Sequence, residues 1–253
     1  MTYSIEIKKE MLIFEINRPA IHNAINGDVM EGFKQLINNV KTNEEIKLVV
    51  ITGAGEKTFC SGGDLAVFHK LKTEEESYGM LSETAKILYE LATLPVPTIA
   101  LVNGTAVGGG CEIATLCDFR LVKKDAKCGF IQGTLGITSG WGGGTYLFEK
   151  GMRHDYILQM LTEAVPYSTD RLMSIGWATE IYEGDKLSAV NQFAEKMIIP
   201  HVNVLKAYKL QAIRKWEQTR LYDRIMDEVA TCSVLWAQDA HHEAVDSFLS
   251  KKK

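Results

Sequence analysis

Long apolar runs and metal-binding patterns are missing from this chain of 253 residues, and basic residues cluster only at its end. No stretch approaches the roughly 20 apolar residues that a membrane-spanning helix needs. The polar residues 1–6 do not resemble a signal peptide, so we expect a cytoplasmic protein that has no membrane partner. The net charge is -4, and the only basic run is residues 251–253, which argues against a nucleic-acid partner.

The five cysteines and six histidines show no metal-ligand spacing. An odd number of cysteines without a CxxC pair predicts reduced, mostly buried thiols and neither a disulfide framework nor a zinc site. No GxGxxG motif follows a strand, and Glu56 replaces the glycine that a phosphate-binding loop needs before Lys57 and Thr58. We therefore expect no metal, no nucleotide and no bound cofactor.

Strand and helix signals alternate along the first two thirds of the chain, which predicts an α/β fold with parallel strand pairing. Beyond about residue 168 the strand signals end and the apolar spacing is helical, so we expect a helical C-terminal part. A hairpin is expected around residues 8–10, helices over 28–40 and 74–94, and strands over 48–52, 98–102, 118–122 and 127–130.

Three consecutive glycines, Gly108, Gly109 and Gly110, connect a predicted strand to a predicted helix. Glycines let the backbone approach a ligand closely, and a helix start offers unpaired N–H groups and the positive end of the helix dipole. A carbonyl oxygen that becomes an oxyanion would be stabilised there, with Glu112 in the first turn close enough to move protons. The segment predicts chemistry on a carbonyl compound; the alternative is a tight turn whose glutamate only favours the helix dipole.

A second glycine-rich loop, residues 59–65, follows the apolar strand 48–52 and the turn 53–55. Because an oxyanion hole needs two donors, each of the two loops would supply one.

Together, residues 59–65 and 103–112 resemble the enoyl-CoA hydratase/isomerase, or crotonase, superfamily. The resemblance runs almost end to end, and the order and spacing of the matching segments make it specific. Further matching segments are residues 17–19, 23–26, 117–120, 135–137 and 243–248. Residues 117–121 and 141–143 also resemble the branch of the superfamily that contains ethylmalonyl-CoA decarboxylase.

The resemblance implies a crotonase-like spiral of β-β-α units over residues 1–195, which would hold the acyl-CoA site. It also implies a C-terminal helical region over residues 196–253, through which the chain would self-associate as a trimer or a dimer of trimers.

The family's catalytic positions carry over onto four residues of this chain. The peptide N–H groups of Gly63 and Gly109 would polarise the thioester carbonyl, and Glu112 matches the first catalytic glutamate of the hydratases. A carboxylate at a helix start is stabilised in its charged form, so we expect Glu112 to act as a base. Gln132 occupies the place of the second glutamate. An amide cannot deliver a proton as a carboxylic acid does, so ordinary two-glutamate hydration is in doubt.

The resemblance also implies where coenzyme A would lie as part of the substrate. Lys57 would approach its phosphates, and Phe248 and Lys251 would reach the site of a neighbouring subunit. Three residues would approach the adenine: Asn23, Ala24 and Ile25.

The function most consistent with these residues is an acyl-CoA-processing lyase classed with the enoyl-CoA hydratases. One alternative is decarboxylation of a methylmalonyl- or ethylmalonyl-type thioester, in which loss of CO2 forms the enolate directly. Another is a catalytically quiet family member that binds acyl-CoA or a protein partner.

Overall fold

The computed structural model describes residues 1–250. Its strands are β1 (Tyr3–Lys8), β2 (Met11–Ile16), β3 (Leu48–Gly53), β4 (Thr58–Cys60), β5 (Thr98–Val102), β6 (Thr105–Val107), β7 (Phe119–Lys123), β8 (Lys127–Gly129), β9 (Tyr167–Ser168) and β10 (Glu180–Tyr182). Its α-helices are α1 (Gly27–Thr42), α2 (Leu65–Phe68), α3 (Glu74–Ala92), α4 (Gly109–Leu116), α5 (Gly143–Glu149), α6 (His154–Glu163), α7 (Thr169–Ser174), α8 (Lys186–Ala194), α9 (Val202–Gln218), α10 (Leu221–Trp236) and α11 (Asp239–Ser250).

The strands form two sheets that the chain enters alternately. The larger sheet has the order β1-β2-β3-β5-β7-β10, and the smaller has the order β4-β6-β8-β9. The pairs β3–β4, β5–β6 and β7–β8 each place one strand in each sheet, and helices follow each pair. Three successive turns of this kind confirm the α/β spiral of β-β-α units.

Local sequence signals set the boundaries of the first elements. Lys9 and Glu10 both have positive φ, 47° and 64°, as a two-residue hairpin turn between β1 and β2 requires. The Asn26 side chain accepts a hydrogen bond from the backbone N–H of Val29 at 3.2 Å and so caps α1. Thr73 and Glu76 form a reciprocal capping box at the start of α3.

Helices cover both faces of the larger sheet. On one face β2, β3, β5 and β7 pack against α8, and on the other they face the main core with α1, α3 and α4. The C-terminal helices fold back onto this core, since α10 packs against α3 and α5, and α11 packs against the 3-10 turn Gln132–Leu135. The expected division at residue 195 falls between α8 and α9.

A buried ion pair fixes α9 to the start of β7. Lys209 of α9 is buried, and its Nζ lies 2.6 Å from both carboxylate oxygens of Asp118. The same carboxylate accepts hydrogen bonds from the backbone N–H and hydroxyl of Thr98 at the start of β5. The C-terminal helices are therefore joined to the sheet by charge as well as by apolar packing.

The expectation that strands end at about residue 168 is wrong, because β10 is a sixth strand of the larger sheet. Three residues are too few to show strand periodicity, and β10 forms because β7 offers a parallel partner to Glu180, Ile181 and Tyr182. No helix within residues 1–250 combines the length and the apolarity needed to cross a membrane.

Candidate active site

The two glycine-rich loops lie side by side because the strands before them are parallel neighbours. β4 leads into the loop that contains Gly62 and Gly63, and β6 leads into Gly108 and the start of α4. A Cβ atom added to Gly62 would lie 2.9 Å from the nitrogen of Gly109, and one added to Gly110 would lie 2.0 Å from the Cys60 carbonyl oxygen. The loops thus pack backbone against backbone, with no room for side chains at positions 62 and 110.

The backbone N–H groups of Gly63 and Gly109 do not donate to the backbone carbonyls around them. Ile25 donates its N–H to the carbonyl of Gly62 and accepts from the N–H of Asp64, so these two hydrogen bonds do not involve the N–H of Gly63. Gly109 is the first residue of α4, where an N–H has no acceptor within the helix. Both glycines are half-buried, whereas Gly62 is buried. The fold thus brings together the two residues that the sequence predicts as donors.

Two aromatic rings lie against these glycines. A Cβ atom on Gly109 would be 2.1 Å from Cζ3 of Trp141, and one on Gly63 would be 2.5 Å from Cδ2 of Phe68 and 3.6 Å from Cζ2 of Trp141. Trp141 is 5% exposed, so its indole fills the space in front of both loops. Trp141 lies in a segment that the sequence matches to the decarboxylase branch of the family, whereas nothing in the sequence points to Phe68.

The Glu112 carboxylate is fully enclosed by hydrogen-bond donors. One oxygen, Oε1, accepts from Nε2 of Gln132 at 2.8 Å. The other, Oε2, accepts from the backbone N–H groups of Trp141 and Gly143, both at 2.9 Å. Glu112 is 3% exposed and stands in the first turn of α4, next to Gly109. The structure therefore joins Glu112 and Gln132, as the sequence predicts.

Burial favours the neutral form of Glu112. Loss of solvent raises the pKa of Glu112 to about 8, the nearby Glu228 carboxylate acts in the same direction, and the backbone donors oppose the rise only in part. This direction opposes the expectation of a charged base at the helix start, which stays a prediction. Desolvation outweighs the helix dipole, which contributes typically up to ~2 kcal/mol.

A second carboxylate close to Glu112 was not foreseen. Glu228 lies on α10, and its Oε2 accepts from the backbone N–H of Thr145 at 2.7 Å and from the Thr145 hydroxyl at 2.6 Å. Its Oε1 is buried and has no hydrogen-bond partner within the described residues. Burial raises the pKa of Glu228. The sequence carries no signal for this position, because a glutamate in an amphipathic helix usually faces solvent.

The residues expected near the adenine have structural contacts of their own. The buried Asn23 side chain donates to the carbonyls of Ala54 and Thr58, and its Oδ1 accepts from the N–H of Arg18. Ala24 and Ile25 are also buried, although their backbone lies beside the Gly63 loop.

Arg18, which sequence reasoning did not assign a role, fixes this segment. Its guanidinium donates to the Ala24 carbonyl at 2.7 Å and pairs with the Asp64 carboxylate at 2.9 Å.

The remaining residues expected to contact coenzyme A are not gathered at the glycine loops. Lys57 is exposed and precedes β4, whereas Gly63 follows that strand. Phe248 is 36% exposed near the end of α11. Lys251 lies outside the described residues.

This arrangement, two free peptide N–H groups beside a buried acid, is typical of enzymes that stabilise an enolate. The family model described as enoyl-CoA hydratase/isomerase matches residues 6–253. The chain therefore belongs to the enoyl-CoA hydratase/isomerase family.

Relatives with two different activities resemble nine tenths or more of the chain. A short-chain-enoyl-CoA hydratase of Clostridium acetobutylicum is 29% identical over 250 residues, which cover 98% of this chain and 95% of that protein. An ethylmalonyl-CoA decarboxylase of Xenopus tropicalis is 31% identical over 235 residues, which cover 91% and 77% respectively. The crystal structure of an enoyl-CoA hydratase from Bacillus halodurans has the same fold, with a TM-score of 0.87 at 19% identity over 98% of this chain and 100% of that one.

Proposed function

We propose that this protein is an acyl-CoA lyase that forms a thioester enolate and protonates it. The thioester oxygen accepts hydrogen bonds from the N–H groups of Gly63 and Gly109, and Glu112 transfers the proton at the α-carbon. The observation that carries the proposal is the first turn of α4, which presents an unbonded N–H and a buried carboxyl group three residues apart. Each oxyanion donor is typically worth about 10²- to 10³-fold in rate.

Among such reactions, decarboxylation of a short malonyl-type thioester fits the protonation of the site best. The bond between the α-carbon and the carboxylate breaks, CO2 leaves, and the electron pair moves into the enolate. The α-carbon then takes the proton of Glu112, which is regained from water. A neutral Glu112 does not repel the substrate carboxylate, and its raised pKa supplies the acid that this step needs at neutral pH.

The rings at the glycine loops support a small acyl group. Trp141 and Phe68 lie against the two glycines whose N–H groups would bind the thioester oxygen, so their rings limit the space beside it. A methyl or ethyl branch needs little of this space, whereas a long acyl chain needs both rings to move. The proposed substrate is therefore a methylmalonyl- or ethylmalonyl-type thioester.

Hydration of a short enoyl thioester is the second candidate. It is favoured by Gln132, whose Oε1 is a buried acceptor without a partner within residues 1–250 and would hold the attacking water. Hydration also requires a base for that water, and Glu112 becomes one only as the pH rises through its pKa.

Product analysis by mass separates these reactions. The protein is incubated with methylmalonyl-CoA, ethylmalonyl-CoA, crotonyl-CoA and a 3-enoyl-CoA, each alongside Glu112→Gln. We expect loss of CO2 to exceed hydration and isomerisation, and the variant to lose about 10²-fold or more. Binding of the thioesters with no turnover of any of them would refute the proposal and favour a quiet acyl-CoA-binding protein.

The proposal extends to coenzyme A and to assembly. The backbone of Asn23, Ala24 and Ile25 would face the adenine, and Lys57 the phosphates. Phe248 and Lys251 would reach a neighbouring subunit's site in a trimer or a dimer of trimers. A cytoplasmic location is supported by the five cysteines, which are all free and buried.

A further inference from the structure

Glu112 and Glu228 are bound by the start of the same short helix. Gly143, the first residue of α5, donates its N–H to Glu112, and Thr145, two residues later, donates to Glu228. The glycines of this segment make room for both carboxyl groups. A Cβ atom on Gly143 would lie 2.4 Å from Cγ of Glu112, and one on Gly144 would lie 3.3 Å from Oε2 of Glu228.

Because both carboxyl groups accept hydrogen bonds from the first turn of α5, the distance between them has an upper bound. Backbone nitrogens two residues apart in a helix are roughly 5 Å from each other. The donor–acceptor distances are 2.9 Å for Glu112 and 2.7 Å for Glu228, so the two Oε2 atoms lie within about 11 Å. At that distance and an effective dielectric constant of about 20, one charge shifts the titration of the other by about one pH unit.

The surroundings of the two carboxyl groups contain no compensating cation. No lysine, arginine or histidine within residues 1–250 forms an ion pair with either of them. The titratable groups that face them are Tyr146 of α5, Cys232 of α10 and Cys111 of α4. Burial raises the pKa of each of these three groups, so all remain neutral at physiological pH.

We propose that Glu228 is a positioning residue for Glu112: the two carboxyl groups hold one negative charge between them, and Glu228 thereby keeps the proton on Glu112 at neutral pH. The two hydrogen bonds from Thr145 favour the charged form of Glu228, and a charged Glu228 opposes ionisation of Glu112, against the three donors that Glu112 itself accepts from. Glu228 thus acts through Glu112 and does not itself contact the substrate. This inference rests on the proposed function in one respect, the role of Glu112 as the acid.

Glu228→Gln tests the inference by removing the charge and keeping the shape. Its control is Asp227→Asn, which removes the same charge from the exposed neighbouring position of α10. Infrared difference spectra over a pH titration without substrate report the protonated Glu112 carboxyl, which the Glu112→Gln variant assigns. We expect Glu228→Gln to shift this titration to lower pH by about one unit, and Asp227→Asn to leave it in place.

Activity provides a second measurement. For a reaction that uses Glu112 as an acid, the alkaline limb of the kcat profile should move to lower pH by the same amount in Glu228→Gln. Thr145→Val removes one donor to Glu228 and should move both the spectrum and the limb in the same direction by less. Thr145→Val also tests the inference if Glu228→Gln does not fold.

Unchanged Glu112 titration in both variants would overturn the inference. Absence of turnover with a shifted infrared titration would instead refute the proposed function alone.

Discussion

Gln132→Glu restores a carboxyl group at the position where hydratases carry their second glutamate. In the natural protein Nε2 of Gln132 lies 2.8 Å from Oε1 of Glu112. Two carboxyl groups at that distance cannot both ionise, so the pair would share one proton. It would then offer an acid and a base together, which hydration requires and a neutral Glu112 beside an amide does not supply.

The expected gain follows from the size of general acid–base catalysis, which is typically about 10²- to 10⁴-fold. We expect Gln132→Glu to raise crotonyl-CoA hydration by at least about tenfold, a conservative share because the surrounding shell is not shaped for a carboxyl group. Decarboxylation should fall, because the added charge faces the substrate carboxylate. At about 5 Å and an effective dielectric constant of about 20 this repulsion is roughly 3 kcal/mol.

Both reactions are measured on both proteins, by loss of the enoyl thioester and by release of CO2. Gln35→Glu, an added charge at an exposed position of α1, is the matched control and should change neither rate. A natural protein that hydrates crotonyl-CoA as fast as Gln132→Glu would show that the site has another proton donor and would refute the single-acid reasoning.

Three further predictions concern the pocket and the chain end. Gly109→Pro removes the N–H and should abolish turnover. Gly109→Ala crowds Trp141 equally but keeps the N–H, so it should retain at least about 10²-fold more activity than Gly109→Pro. Equal loss of activity in the two folded variants would contradict this. Trp141→Ala should raise kcat/KM for longer acyl thioesters relative to short ones by about tenfold or more, because room for one or two further methylene groups is worth about that much. An unchanged ratio would show that the Trp141 ring does not limit the length of the acyl group. Removing residues from Phe248 onward should weaken coenzyme A binding and assembly; light scattering of an unchanged oligomer with unchanged affinity would refute it.

Much of the fold and part of the site were predictable from local signals. Apolar runs and turn residues gave the order of strands and helices, and the glycine-rich loops after β4 and β6 pointed to Gly63 and Gly109. These signals are short-range, because glycine, cap and turn preferences act within a few residues. β10 was missed because a three-residue edge strand depends on its neighbour in the sheet.

The sequence alone predicted the α/β order of the chain and, through its family resemblance, Gly63 and Gly109 as the backbone donors; it also has Gln132 where a second acid is expected. Only the tertiary structure decided how these groups behave. It places the Trp141 ring on Gly109, buries Glu112 until desolvation outweighs the helix dipole, and brings Glu228 from α10 to the same helix start. Desolvation and charge coupling depend on every group within about 10 Å, so they arise only when distant segments are packed together.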